Sequence, residues 1–124
     1  MGVIAFGDGP ESVWQAARWV YRRLMGDLAA AAGSDGGIRD AVEQAIHLDG
    51  LHFDLLDPAL ASRIFAVLET VAQATVKDAR SPRMRWKEGL NERARIRYQS
   101  AVRELLELLG RHGEQFRGNC HSKR

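Results

Sequence analysis

The densest run of side chains with chemistry to offer is His47-Leu-Asp49-Gly-Leu-His52-Phe-Asp54, two His-x-Asp units five residues apart. Imidazole and carboxylate are good ligands for zinc and other divalent ions. The spacing does not force convergence, because residues two apart on a helix point to different sides. The helical His-x-x-x-His pair with a glutamate beside the first histidine is also absent. His47, Asp49, His52 and Asp54 therefore stand as metal candidates against a favoured reading in which they cap and terminate neighbouring elements. No cofactor is implied.

Nucleophilic catalysis finds less support. Cys120 adjoins His121 near the C-terminus, where adjacent side chains point apart and nothing preorganises an oxyanion site. No serine sits in a Gly-x-Ser-x-Gly elbow. The Gly33–Gly37 run is too short for a phosphate loop and lacks its trailing Lys-Ser/Thr. The chain is expected not to be an enzyme.

A stronger signal is cationic. Between Lys77 and Arg97 eight Lys and Arg face three acids, a local charge of +5. Arg83, Arg85, Trp86 and Lys87 form a basic linker around an aromatic; Arg93 and Arg97 share one flank of the helix that follows. Arg95 lies well round from them, where an acid on a neighbouring helix can meet it. Ile96 points away from that helix's apolar arc, among Glu92, Arg93 and Arg103. On the first helix Trp19 likewise falls outside the arc, among Gln15, Arg22 and Arg23. Its plain reading is packing on a loop or on the N-terminal stub. Trp and Arg are also the residues that most often anchor interfaces. Trp19, Arg22, Arg83, Arg85, Trp86, Lys87, Arg93, Ile96 and Arg97 are accordingly the candidate partner-binding set.

Three uses compete for this cationic stretch. It is a solvated face paired across helices with acids of the first half, or it meets an acidic protein, or it meets nucleic acid. Phosphate backbones bind such stretches, and an aromatic can stack on a base. No recognised nucleic-acid module accompanies it.

The elements that would position these residues read as helices. Asp57 and Pro58 open a long one to about Ala79, Asp57 as N-cap and Pro58 at the first helical position. Leu60, Ala61, Ile64, Phe65, Val67, Leu68, Val71, Ala72, Thr75 and Val76 spread over about half its circumference, wider than a surface helix needs. It is expected at the centre. Before it, Val3–Phe6 is an apolar, strand-like tether; a helix follows from Pro10 to about Ala32, then a glycine-rich turn and a short helix over Ile38–Leu48, with Gly50 at its end or just past it. Leu51–Leu56 is an apolar connector, with room for one helical turn. After the Pro82 linker the last helix starts between Trp86 and Asn91 and ends near Gly110 and Gly113. The expected fold is all-α, a small antiparallel bundle of three long helices and one short one, over residues 1–113 with a flexible basic tail at 114–124.

Bulk composition agrees with a soluble domain. The chain of 124 residues is 45% hydrophobic and 27% charged, long enough to bury a core without staples. One cysteine excludes an internal disulfide and favours a reducing, cytoplasmic setting. No signal peptide or membrane span is expected, and Phe6 spoils a myristoylation signal. Residues 1–62 carry four Arg and nine acids, net −5; residues 63–124 carry fourteen Lys and Arg and seven acids, net +7. Such a split suits either two charged faces or two oppositely charged helices packed together.

In overall character, with no motif behind it, the chain resembles small helical binding proteins such as toxin immunity proteins, antitoxins and accessory subunits. That resemblance implies a protein that covers a partner's surface. The partner expected here is an acidic protein, with nucleic acid as the alternative, no membrane, and a homodimer as a further way to hide apolar surface.

Overall fold

The computed structural model describes residues 2–7, 9–77 and 92–121, with side-chain surroundings in the last segment from 93 to 113. Strand β1 (Gly2–Ala5) is followed by a 3-10 turn (Pro10–Ser12), strand β2 (Val13–Ala16) and helices α1 (Arg18–Ala32) and α2 (Gly36–Leu48). Strand β3 (Gly50–His52), a second 3-10 turn (Phe53–Leu55), α3 (Pro58–Lys77) and α4 (Glu92–His121) complete the described chain.

The fold is rich in helix, with four helices, yet it is not the all-α bundle that the sequence suggests. A three-stranded mixed sheet in the order β2-β1-β3 is built into it, β1–β2 antiparallel and β1–β3 parallel. The apolar tether is a true strand: Ile4 and Phe6 are fully buried. Backbone amides cannot be buried unpaired, so β1 needs partners on both sides. It takes them at the entry to β3, where Val3 N–H donates to the Asp49 carbonyl at 3.1 Å, and from β2, whose ladder starts where Phe6 N–H, just past β1, donates to the carbonyl of Ser12 at the end of the first turn at 2.9 Å. Residues 13–16 are thereby drawn out of the helix expected from Pro10. That helix starts only at Arg18, after Ala17 adopts ψ 149°.

Gly2 sits against α1: a Cβ at that position would overlap Cβ and Cγ of Tyr21. The absence of a side chain lets β1 lie directly on that ring.

The central helix is where the sequence places it. The Asp57 carboxylate accepts from Ala59 N–H at 3.2 Å and Leu60 N–H at 3.4 Å. Ala61, Ile64, Phe65, Leu68, Val71, Ala72 and Thr75 are buried, and α3 packs against α1, α2 and most extensively α4. Its length and apolar composition alone would suffice to cross a bilayer; here its apolar side is covered by neighbouring helices.

Aromatic rings tie sheet to helices. Phe6 stacks between Phe53 (5.1 Å between centroids) and His112 (5.2 Å), with Phe65 edge-on at 6.2 Å. Trp14, facing inward from β2, donates its indole N–H to the Ala101 carbonyl on α4 at 2.9 Å. α4 runs through Gly110 and Gly113, where the sequence suggests an end. Helical glycine costs only about 1 kcal/mol relative to alanine, and the burial of Leu105 and Leu109 on this helix outweighs it. The backbone around Cys120, assigned from sequence to the tail, belongs to this helix.

Candidate functional site

The His47–Asp54 run is a corner between α2 and the sheet. Asp49 closes α2 in the left-handed conformation, φ 54°, with its N–H shared between the Ala45 and Ile46 carbonyls. The left-handed residue that ends the helix is thus the aspartate, and Gly50 lies just beyond it. Short polar side chains tolerate this conformation better than most. The Asp49 carboxylate also accepts from Arg18, at the start of α1, at 3.2 Å. His47, His52 and Asp54 are exposed. Among the described residues no three His, Cys, Asp or Glu side chains are placed to hold a metal ion. The structure brings Asp49 to Arg18 rather than to its neighbours in the motif.

The cationic set divides. Arg83, Arg85, Trp86 and Lys87 lie outside the described residues. Arg93 and Arg97 are exposed on α4, as is Arg22 on α1. Ile96 between the two arginines is 54% exposed, whereas Tyr98, Val102, Leu105 and Leu109 of the same helix are fully buried. Trp19 is half-buried. It packs 6.4 Å from the Tyr98 ring of α4. The start of α1 thereby lies beside the part of α4 that carries Arg97.

Sequence reasoning missed the polar cluster beneath this surface. Tyr98 is fully buried and donates its hydroxyl to the Asp27 carboxylate at 3.0 Å. The Arg23 guanidinium lies over the Tyr98 ring, 5.8 Å from its centroid. Burial raises the Asp27 carboxyl above the usual range, while the Tyr98 hydroxyl and the Arg23 charge pull it back. Burial and the Asp27 charge raise the Tyr98 phenol. The arrangement holds a carboxylate between a donor and a cation. The available signal was Arg23 and Asp27 at i,i+4 beside the Leu24–Leu28 face, a spacing that allows them to meet.

A second buried phenol is structural in the same way. Tyr21 donates to the Ala45 carbonyl at 2.8 Å, tying α1 to α2, and burial raises its pKa. Across α2 and α3, Arg63 grips both oxygens of Asp35 at 3.1 and 3.2 Å while Asp35 accepts from the Ile38 N–H. The Arg63 hydrogen bond holds the Asp35 carboxyl below its ordinary value. This pair joins the acidic first half of the chain to the basic second half.

Comparison with protein-family models, with curated proteins and with solved structures gives no match.

Proposed function

We propose that this protein is a non-enzymatic binding protein that engages an acidic protein surface through the N-terminal half of α4 and the basic linker before it. The observation that carries this reading is Ile96, a large apolar side chain left 54% exposed between the exposed Arg93 and Arg97. One exposed isoleucine is ordinary. An exposed isoleucine rimmed by arginines, next to a linker holding Trp86, has the composition of an interface core with a charged rim. Trp19 and Arg22 on the adjacent α1 extend the same surface. Charge would steer the encounter and a few desolvated apolar anchors would supply affinity. Asp27, Asp35, Asp49, Tyr21 and Tyr98 are each engaged in joining elements.

The test is a photo-reactive residue at position 96 in the full chain, cross-linked inside the cell that makes the protein. The expected result is an adduct with one acidic protein, lost in Arg93→Glu/Arg97→Glu with the circular dichroism unchanged. No adduct, or one indifferent to that charge reversal, overturns the proposal. Retention on DNA or RNA that weakens log-linearly with salt would replace the acidic protein with nucleic acid.

A further inference from the structure

Among the described residues the sheet ends in an unpaired edge. β2 is terminal in the order β2-β1-β3. Its pairing with β1 aligns Ile4 with Trp14 and Val3 with Gln15. The bond from Phe6 N–H to the Ser12 carbonyl fixes the phase of the ladder. Antiparallel pairs alternate between exchanging two hydrogen bonds and exchanging none. Trp14 therefore spends its backbone groups on β1, while those of Val13 and Gln15 point outward. Val3 confirms the phase, since its N–H turns the other way, to Asp49. The Val13 N–H closes the preceding turn onto Pro10. The Val13 carbonyl and both backbone groups of Gln15 remain, and no partner for them is found among the described residues. Gln15 is exposed.

This edge opens onto a groove of about 260 Å³ between β2 and α4. Trp14 and Leu108 give it an apolar wall. Glu11, Glu104 and Glu107 line it against a single cation, Arg111, a net charge of −2 in a chain whose overall charge is +2. An extended segment that adds to a sheet edge gains affinity from main-chain hydrogen bonds and specificity from alternate side chains. Successive side chains of an added strand point to opposite faces: the set on the Trp14 side would meet the α4 flank that carries Glu104, Glu107 and Leu108, and the other set would lie on the Val13–Gln15 side.

We infer that the β2 edge is a docking site for an extended peptide with lysine or arginine at alternate positions and aliphatic residues between them. The segment adds as a fourth strand, accepting from Gln15 N–H and donating to the Gln15 and Val13 carbonyls. Its cations lie along Glu104 and Glu107. Glu104 lies two turns beyond Arg97 along α4, so this surface adjoins the Arg93–Arg97 stretch but is opposite to it in sign, and different substitutions test the two.

The probe is a short fluorescein-labelled peptide of alternating lysine and valine, titrated into the full chain and followed by anisotropy. Saturable binding is expected, with no binding of the glutamate–valine counterpart. Gln15→Pro removes one outward donor and leaves the bonds to β1 in place, because proline is tolerated on an edge strand. It should weaken binding about tenfold, the upper end for one hydrogen bond. Glu104→Gln/Glu107→Gln should weaken it similarly, and Arg111→Gln should leave it equal or tighter. If Gln15→Pro does not fold, peptides N-methylated at alternate amides take its place, and the methylation phase that blocks pairing should abolish binding. A lysine–proline peptide that binds as well as lysine–valine overturns the proposal in favour of charge alone. A concentration-dependent dimer that Gln15→Pro dissociates, with no peptide binding, overturns it in favour of a second copy of this chain.

Discussion

At Asp27 burial and the Tyr98 hydrogen bond compete over the protonation of one carboxyl, and burial prevails. Removing the hydroxyl with Tyr98→Phe takes a donor from the partly buried Asp27 carboxylate, and should cost about 1–2 kcal/mol in urea unfolding. The pH dependence has a definite sign. Because burial raises the Asp27 carboxyl in the folded chain, the folded state binds that proton more tightly than the unfolded state. Its contribution to stability is complete at low pH and declines as pH rises from about 4. Asp27→Asn keeps an acceptor for Tyr98 but cannot ionise. The stability of the parent minus that of Asp27→Asn should therefore fall through this window and then level. A difference that grows with pH would mean that the Tyr98 hydrogen bond and the Arg23 charge together outweigh burial. Asp35, pulled the other way by Arg63, adds stability above its unfolded pKa and loses it as pH falls through the folded one, so the two groups are separable in the profile.

At the scale of elements, what is readable from sequence tracks how local the cause is. Asp57-Pro58 announces α3 because a cap needs only the next three amides. Asp57→Ala should lower stability by about 1 kcal/mol, read as a shift in the urea midpoint without a change in slope. The stripes Ile38–Val42–Ala45 on α2 and Tyr98–Val102–Leu105–Leu109 on α4 are equally local and equally legible. β2 is not. Val13, Trp14, Ala17 and Val20 fit a helical face as well as they fit a strand followed by a helix. What decides is the demand of β1 for main-chain partners, and that demand comes from residues eight to fourteen positions away. The functional candidates follow the same rule. Exposed Arg93, Ile96 and Arg97 are visible as departures from a periodic face. The Asp27–Tyr98 bond spans 71 residues, and no spacing in the sequence encodes it. Trp14→Phe tests the strand assignment, since it deletes the indole donor to Ala101 while keeping an aromatic. It should cost about 1 kcal/mol; a neutral result would release β2 from α4.

For the whole molecule, the question is whether the small sheet is an appendage or part of one cooperative unit. β1 and β3 are parallel neighbours joined through β2, α1 and α2, so their pairing closes only when those helices are in place. Phe6, at the end of β1, is sandwiched by Phe53 from the turn after β3 and His112 from α4. The packing leaves no plane along which sheet and helices separate. Trp14 is 2% exposed and reports on the sheet, while far-ultraviolet dichroism reports on the helices. In a Trp19→Phe/Trp86→Phe background the two melting curves should superimpose, as two-state unfolding requires. Phe6→Ala should lower both together by about 3–5 kcal/mol, the cost of emptying a core aromatic site. If the Trp14 signal melts first, or Phe6→Ala moves it alone, the four helices stand without the sheet. Cooperative melting instead makes the β2 edge a fixed feature of the folded protein, held rigid by the same core that presents Arg93, Ile96 and Arg97 to solvent.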